Sequence, residues 1–308
     1  MNARWQQAMV LFLVMLTAVW LGWWLPRSAS IAGLGVAMGL TCMAAFMAVE
    51  FGLMHAINRT DPAPRARVAE VVRAWWAELW VAIRVFCWMQ PFRHRAVPDW
   101  LPPRETGAPP SPQRGVVLLH GFMCNRGLWN DWIPLLTQRG HACVAVNLEP
   151  VRGSIHAYEE AVEAAVGAVW RATGRAPVLV GHSMGGLAAR AWLHARPGAP
   201  DRVHSVITLG TPHRGTWLGQ FSGAVNGRQM RLDGPWVQAL QAGEPPGLAR
   251  KFTCWYSNCD NIVFPASAAT LPGADNRLIA GVAHVEMVFH PVVLQACLQQ
   301  IGAEEGRV

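Results

Sequence analysis

From residue 115 onward, short apolar runs alternate with helical stretches, and this alternation limits the possible folds more than any other feature of the chain. The runs are GVVLLHGF, HACVAVNL, APVLVGHS, RVHSVITLG, KFTCWYSN and NRLIAGVAH, with helical patterns near 127–138, 155–173, 184–196 and 290–301. Strands that are apolar along their whole length are buried on both faces. Strands joined through helices run parallel. The expected architecture is therefore α/β, a mostly parallel sheet covered by helices on both faces over residues 115–308. Residues 213–250 break the rhythm with glycine, polar groups and scattered aromatics, and are expected to form a lid-like insert.

One of these junctions carries chemistry. The run VLVGHSMGGLAARAWL places Gly181-His182-Ser183-Met184-Gly185 between a strand and a helix. A serine on so tight a turn sits in a strained backbone conformation, and glycines on either side remove the clashes. That context makes Ser183 a candidate nucleophile. The first strand ends in His120-Gly121-Phe122. The backbone amides of Phe122 and Met184 are the candidate donors to a developing oxyanion.

The first hundred residues are different. Ala8–Leu25 and Ile31–Val49 contain no charge, and each is long enough to cross a hydrocarbon core of about 30 Å as a helix. Only Pro26, Arg27 and three small residues separate them, so residues 1–58 read as a transmembrane hairpin. A cleaved signal peptide ending near Ser28-Ala29-Ser30 is the alternative. Arg4 lies before the first span, Arg27 alone in the turn, and Arg59, Arg65, Arg67 and Arg73 after the second. The positive-inside rule then leans both ends, and the domain they carry, toward the cytoplasm. A bacterial inner membrane is the expected location.

Residues 59–97 contain VAEVVRAWWAELWVAIRVFCWMQ. Val72, Trp75, Trp76, Leu79, Trp80, Ile83, Phe86 and Cys87 fall on one helical arc, while Glu70, Arg73 and Arg84 fall outside it. Such a helix suits either the membrane interface or the flank of the following domain. Residues 98–114 hold five prolines between 102 and 112 and read as an extended, semi-rigid linker.

Composition agrees with a chain partly in lipid: 52% of the 308 residues are hydrophobic and only 15% charged. The net charge of +7 rests almost wholly on arginine, since Lys251 is the only lysine. No long run of like charge and no nucleic-acid motif is present, so the balance points to anionic headgroups and not to nucleic acid. The seven cysteines show neither zinc-finger nor CxxC spacing. A Cys254–Cys259 bridge is conceivable, but free thiols fit the scatter better.

Taken together, HGF, GHSMGG, LGTPHRGT, CDNIVFP and GVAHVEM resemble the α/β-hydrolase superfamily, and more narrowly the bacterial triacylglycerol lipases and esterases. The resemblance covers about residues 115–302. It implies the chain order nucleophile, acid, histidine, and so assigns Ser183, Asp260 and His284. Asp275 and Asp233 are the rival acids, and His290 is the rival base. His120, His182 and His213 are expected around the substrate pocket. The implied reaction is hydrolysis of acyl esters, lipid esters above all, through an acyl-enzyme with no metal or organic cofactor. An acyltransferase or thioesterase would use the same residues. A membrane scaffold or transport component is disfavoured because neither span carries an ionisable group in its middle. A dehalogenase would need aspartate in place of Ser183.

Overall fold

The computed structural model describes residues 2–105, 107 and 109–303. Six strands form one sheet: β1 Val116–Leu119, β2 Cys143–Val146, β3 Val178–His182, β4 Ser205–Leu209, β5 Phe252–Tyr256 and β6 Asp275–Leu278. Their order is β2-β1-β3-β4-β5-β6, and every pairing is parallel. Five of the six strands lie within the apolar runs, and β6 begins one residue before the sixth and is only partly buried. The cause is visible in their burial: β1, β3 and β4 are buried at every residue.

Two helices precede the sheet by a wide margin, α1 Asn2–Trp24 and α2 Ala29–Ile57. Then come α3 Val68–Ala82, a π-helical turn over Ile83–Met89, and the short α4 Gln90–Phe92. Between and after the strands lie α5 Trp132–Thr137, α6 Glu159–Thr173, α7 Met184–Ala195, α8 Val225–Gln229, α9 Pro235–Ala242, α10 Glu286–Phe289 and α11 Pro291–Ala303. One apolar core forms between the sheet and α6 and α7, around Val162, Val166, Leu187 and Trp192. The other lies on the opposite face, around Trp129, Trp132, Val293 and Ile301.

The amino-terminal segment is joined to this domain more closely than an appendage on a spacer. Val85 and Met89 of the π-helical turn belong to the second core. Phe51 and Met54 of α2 pack with Ala74 of α3 and with Cys259, Phe264 and Ala283 of the domain. The arc of α3 splits accordingly. Leu79 is buried against its neighbours, whereas Trp76 and Trp80 are half to two-thirds exposed. The described residues of the proline-rich stretch are pinned along the domain. Trp100 bridges Cys143 beside β2, Asp99 pairs with Arg126, and the Ser111 N–H donates to the Thr173 carbonyl.

α1 and α2 are long and apolar enough to cross a membrane by length and composition. Their midsections expose large apolar side chains, among them Leu13, Leu16, Leu34, Met38 and Phe46. All seven cysteines are free thiols, Cys254 and Cys259 included.

Candidate active site

Ser183 sits at the junction of β3 and α7 with φ 54° and ψ −128°, a conformation that costs a residue with a Cβ of order 1–3 kcal/mol. The surrounding motif makes it possible. A Cβ on Gly185 would lie 2.2 Å from the Leu119 carbonyl oxygen at the end of β1, so only glycine lets the helix start there. Met184 opens α7, where the first N–H groups have no acceptor inside the helix.

Asp260 follows β5, and His284 follows β6. The two meet: His284 Nδ1 donates to Asp260 Oδ2 at 2.8 Å, both side chains being almost wholly buried. The other oxygen, Oδ1, accepts the N–H groups of Ile262 and Val263 at 2.9 and 2.7 Å, which fixes the carboxylate's orientation. Gly210, with φ 56°, lies against the pair. A Cβ there would come within 2.9 Å of Asp260 Oδ2 and 3.2 Å of His284 Nδ1. Burial pulls the His284 imidazolium down, but the Asp260 carboxylate, helped by Glu78 and Glu50, holds its pKa above the ordinary histidine value.

The rival residues lie elsewhere. Asp233 pairs with Arg214 and Asp275 with Arg277, each carboxylate about half exposed. His290 ends α10, and burial, its largest influence, lowers its pKa.

Ser183 and His284 open onto one cavity of about 430 Å³ that also receives Gly121, Phe122, His182 and Asn261. Of the three histidines expected around the pocket, only His182 reaches it. Its Nε2–H donates to the His284 carbonyl at 3.2 Å, and burial keeps the ring neutral. His120 lies behind the loop, donating from Nδ1 to the Gly121 carbonyl and accepting the Leu148 N–H at Nε2. Burial lowers its pKa to about 4. His213 is further off, packed against Thr208, Cys254 and Arg190. These two shape loops and do not line the cavity, because their ring atoms are committed to partners on the far side.

The insert over 213–250 does not border this cavity. It is held to the flank of the domain by Asn226 on Tyr158, Gln229 on Ile155 and Glu244 on Arg190. The roof comes from the amino-terminal helices: Met9 and Leu13 of α1, Met43, Phe46 and Met47 of α2, and Ile83 and Phe86 of the π-helical turn. Such turns recur at functional sites. Here the turn sends Val85 and Met89 into the core while Ile83 and Phe86 face the cavity.

These helices also hold the loops of the site. Asn2 Nδ2 donates to the Met123 and Cys124 carbonyls at 2.9 and 2.7 Å, and Gln6 Nε2 donates to Met123 O at 3.0 Å. Met123 has φ 57°, so α1 clamps a strained residue beside Phe122. Glu50 of α2 accepts from Asn261 Nδ2 at 2.9 Å. Glu78 of α3 accepts the Val285 and Glu286 N–H groups, and Arg73 reaches Glu286 with two bonds of 2.8 and 2.9 Å. Sequence reasoning missed Glu50, Glu78 and Gly210. The available signal for Glu78 was its place as the single acid between Glu70 and Asp99, flanked by apolar residues on both sides.

The family profile described as the alpha/beta hydrolase fold matches residues 115–256, ending short of Asp260 and His284. Among solved structures, the mature form of lipase BlEst2 from Bacillus licheniformis is 17% identical with a TM-score of 0.55. That match covers 63% of this chain and 94% of that one. Lipase B of Aspergillus fumigatus is 16% identical with a TM-score of 0.51. There the match covers 61% of this chain but about half, 52%, of that lipase. At such identities the likeness speaks for the fold. The parallel sheet, the strained serine between β3 and α7 and the profile over the same strands together make the domain that begins at residue 115 an α/β-hydrolase fold.

Proposed function

We propose that the protein is a membrane-anchored serine hydrolase that cleaves carboxylic esters of lipids, with Ser183 as nucleophile, His284 as base and Asp260 as its orienting acid. The observation that carries this reading is the buried 2.8 Å contact between His284 and Asp260 beside the strained Ser183. Asp260 holds the imidazole with its proton on Nδ1, leaving Nε2 free to accept. Nε2 takes the Ser183 proton as Oγ attacks the ester carbonyl carbon. The carbonyl electron pair moves onto oxygen, facing the amides of Phe122 and Met184. Donors of this kind contribute roughly 3 kcal/mol each. Collapse expels the alcohol, which receives the proton from His284. Water then repeats the sequence on the acyl-enzyme and releases the acid.

The hairpin supplies the anchor. The arginine bias reads both of its ends, and hence the domain, as facing the cytoplasm. The apolar roof over Ser183 supports a lipid ester in preference to a polar one. The test is labelling by a fluorophosphonate probe together with turnover of p-nitrophenyl esters. Both are expected in the full chain and lost in Ser183→Ala. Ester turnover that survives in Ser183→Ala overturns the assignment.

A further inference from the structure

The cavity over Ser183 does not stop at the domain. A second cavity of about 340 Å³ starts at the same Leu13 and continues between α1 and α2, bordered by Leu16, Thr17, Trp20, Gly35 and Gly39. The two share Leu13, and their lining residues on α2 follow one another from Met47 to Gly35, so together they trace one track from the serine toward the hairpin's turn. From Met47 to Gly35 on α2 the track runs about 18 Å at 1.5 Å per residue. One leaflet of a bilayer offers about 15 Å of hydrocarbon, half of a 30 Å core.

Between α1 and α2 the hydroxyl and the indole N–H that border the track are already satisfied. The Thr17 hydroxyl donates to the Leu13 carbonyl at 2.8 Å, and Trp20 Nε1 donates to the Ala32 carbonyl at 3.2 Å. The Trp20 indole closes the far end, lying so tightly over Gly35 that a Cβ there would overlap it. Gly39 forms open floor: a Cβ at that position meets no atom within 4 Å. Leu16 and Met38 along the border are each more than half exposed, so the flank is open where lipid tails would lie.

We propose that this track is the acyl site: the fatty chain of a bilayer-resident lipid ester enters sideways between α1 and α2 and lies along the hairpin with its carbonyl at Ser183. The inference rests on the hydrolase reading above and adds to it the substrate class and the source of selectivity. Trp20 then sets the longest chain accommodated.

The test uses the full chain in phosphatidylcholine vesicles and the ratio of kcat/KM for p-nitrophenyl palmitate to that for the butyrate. Gly39→Phe fills the floor and is expected to lower the ratio more than about tenfold, whereas Gly33→Phe, off the track on the same helix, changes it less than about twofold. Met43→Trp blocks the track nearer the serine and should lower the ratio likewise, giving a second reading if Gly39→Phe folds poorly. Trp20→Ala should extend activity to longer chains. A ratio unchanged in both blocking variants, while butyrate turnover stays dependent on Ser183, overturns the acyl site and leaves the hydrolase reading intact. Absence of Ser183-dependent turnover in the unmodified chain overturns that underlying reading instead.

Discussion

The Glu78 carboxylate of α3 accepts the N–H of Val285, the residue after His284, at 2.9 and 3.1 Å across 207 positions of sequence. A helix read as a membrane neighbour thus carries the support of the histidine loop. Its burial is complete enough to matter energetically. Desolvation raises the Glu78 pKa from 4.5 to about 7, with the Val285 and Glu286 amides and His284 opposing the rise.

That shift gives a pH dependence of stability with a definite sign. Because the folded pKa lies above the unfolded one, the contribution is present below pH 4.5 and lost as pH rises through about 7. Glu78→Gln removes the titration while keeping an acceptor for the amides. Relative to the variant, the full chain should lose up to roughly 3 kcal/mol over that window. Thermal unfolding in detergent across the range checks it. A stability difference that stays flat with pH would count against the buried carboxylate.

The proposed base has its own titration. With its pKa held above 6.5, His284 stays protonated, and therefore idle, further toward neutrality than an ordinary histidine. kcat/KM should fall as pH drops through that raised value, and Glu78→Gln should move this acidic limb to lower pH. Asp260→Asn should cost about 10⁴-fold in kcat through loss of the needed tautomer. A pH–rate profile on p-nitrophenyl butyrate measures both.

Gly210→Ala should separate Asp260 from His284. The added methyl would press on Oδ2 and Nδ1 at 2.9 and 3.2 Å, and φ 56° already disfavours alanine. A displacement on the order of 1 Å costs about 10²-fold in rate. Activity should therefore drop far more than the unfolding temperature does. An active variant would mean that β4's end can yield.

Removing residues 2–60 should not release a soluble, active domain. The deletion strips the roof from Ser183, uncovers Phe264 and Ala283, and breaks the Asn58 bonds to Asn258 and Ala266. Size-exclusion chromatography should show aggregation, and ester turnover should be absent. A monodisperse, active product would show that the helices are a detachable tether.

Much of this was legible in the sequence because its causes are local. The strand-to-helix turn at Ser183 demands glycines within two residues, and the apolar runs specify a parallel sheet whose central strands are buried. The order Ser183, Asp260, His284 came from the resemblance, and the structure joins the last two directly. What the sequence concealed depends on distance. Glu50 and Glu78 act on loops more than two hundred residues away. On α1 and α2, residues facing outward and residues facing the cavity are equally apolar, so hydropathy could mark a candidate span without marking Met9, Leu13 or Met47 as roof. The insert at 213–250 lines no part of this cavity, and its Trp217 stacks on Phe264.

The clamp of Asn2 and Gln6 on the Met123 carbonyl has a bearing on biogenesis. These side chains emerge from the ribosome long before the loop they grip and longer still before His284. The loop beside Phe122 is therefore gripped by a helix made well before it. On the membrane-anchored reading proposed above, the helix that grips this loop would reach the bilayer before the loop itself exists.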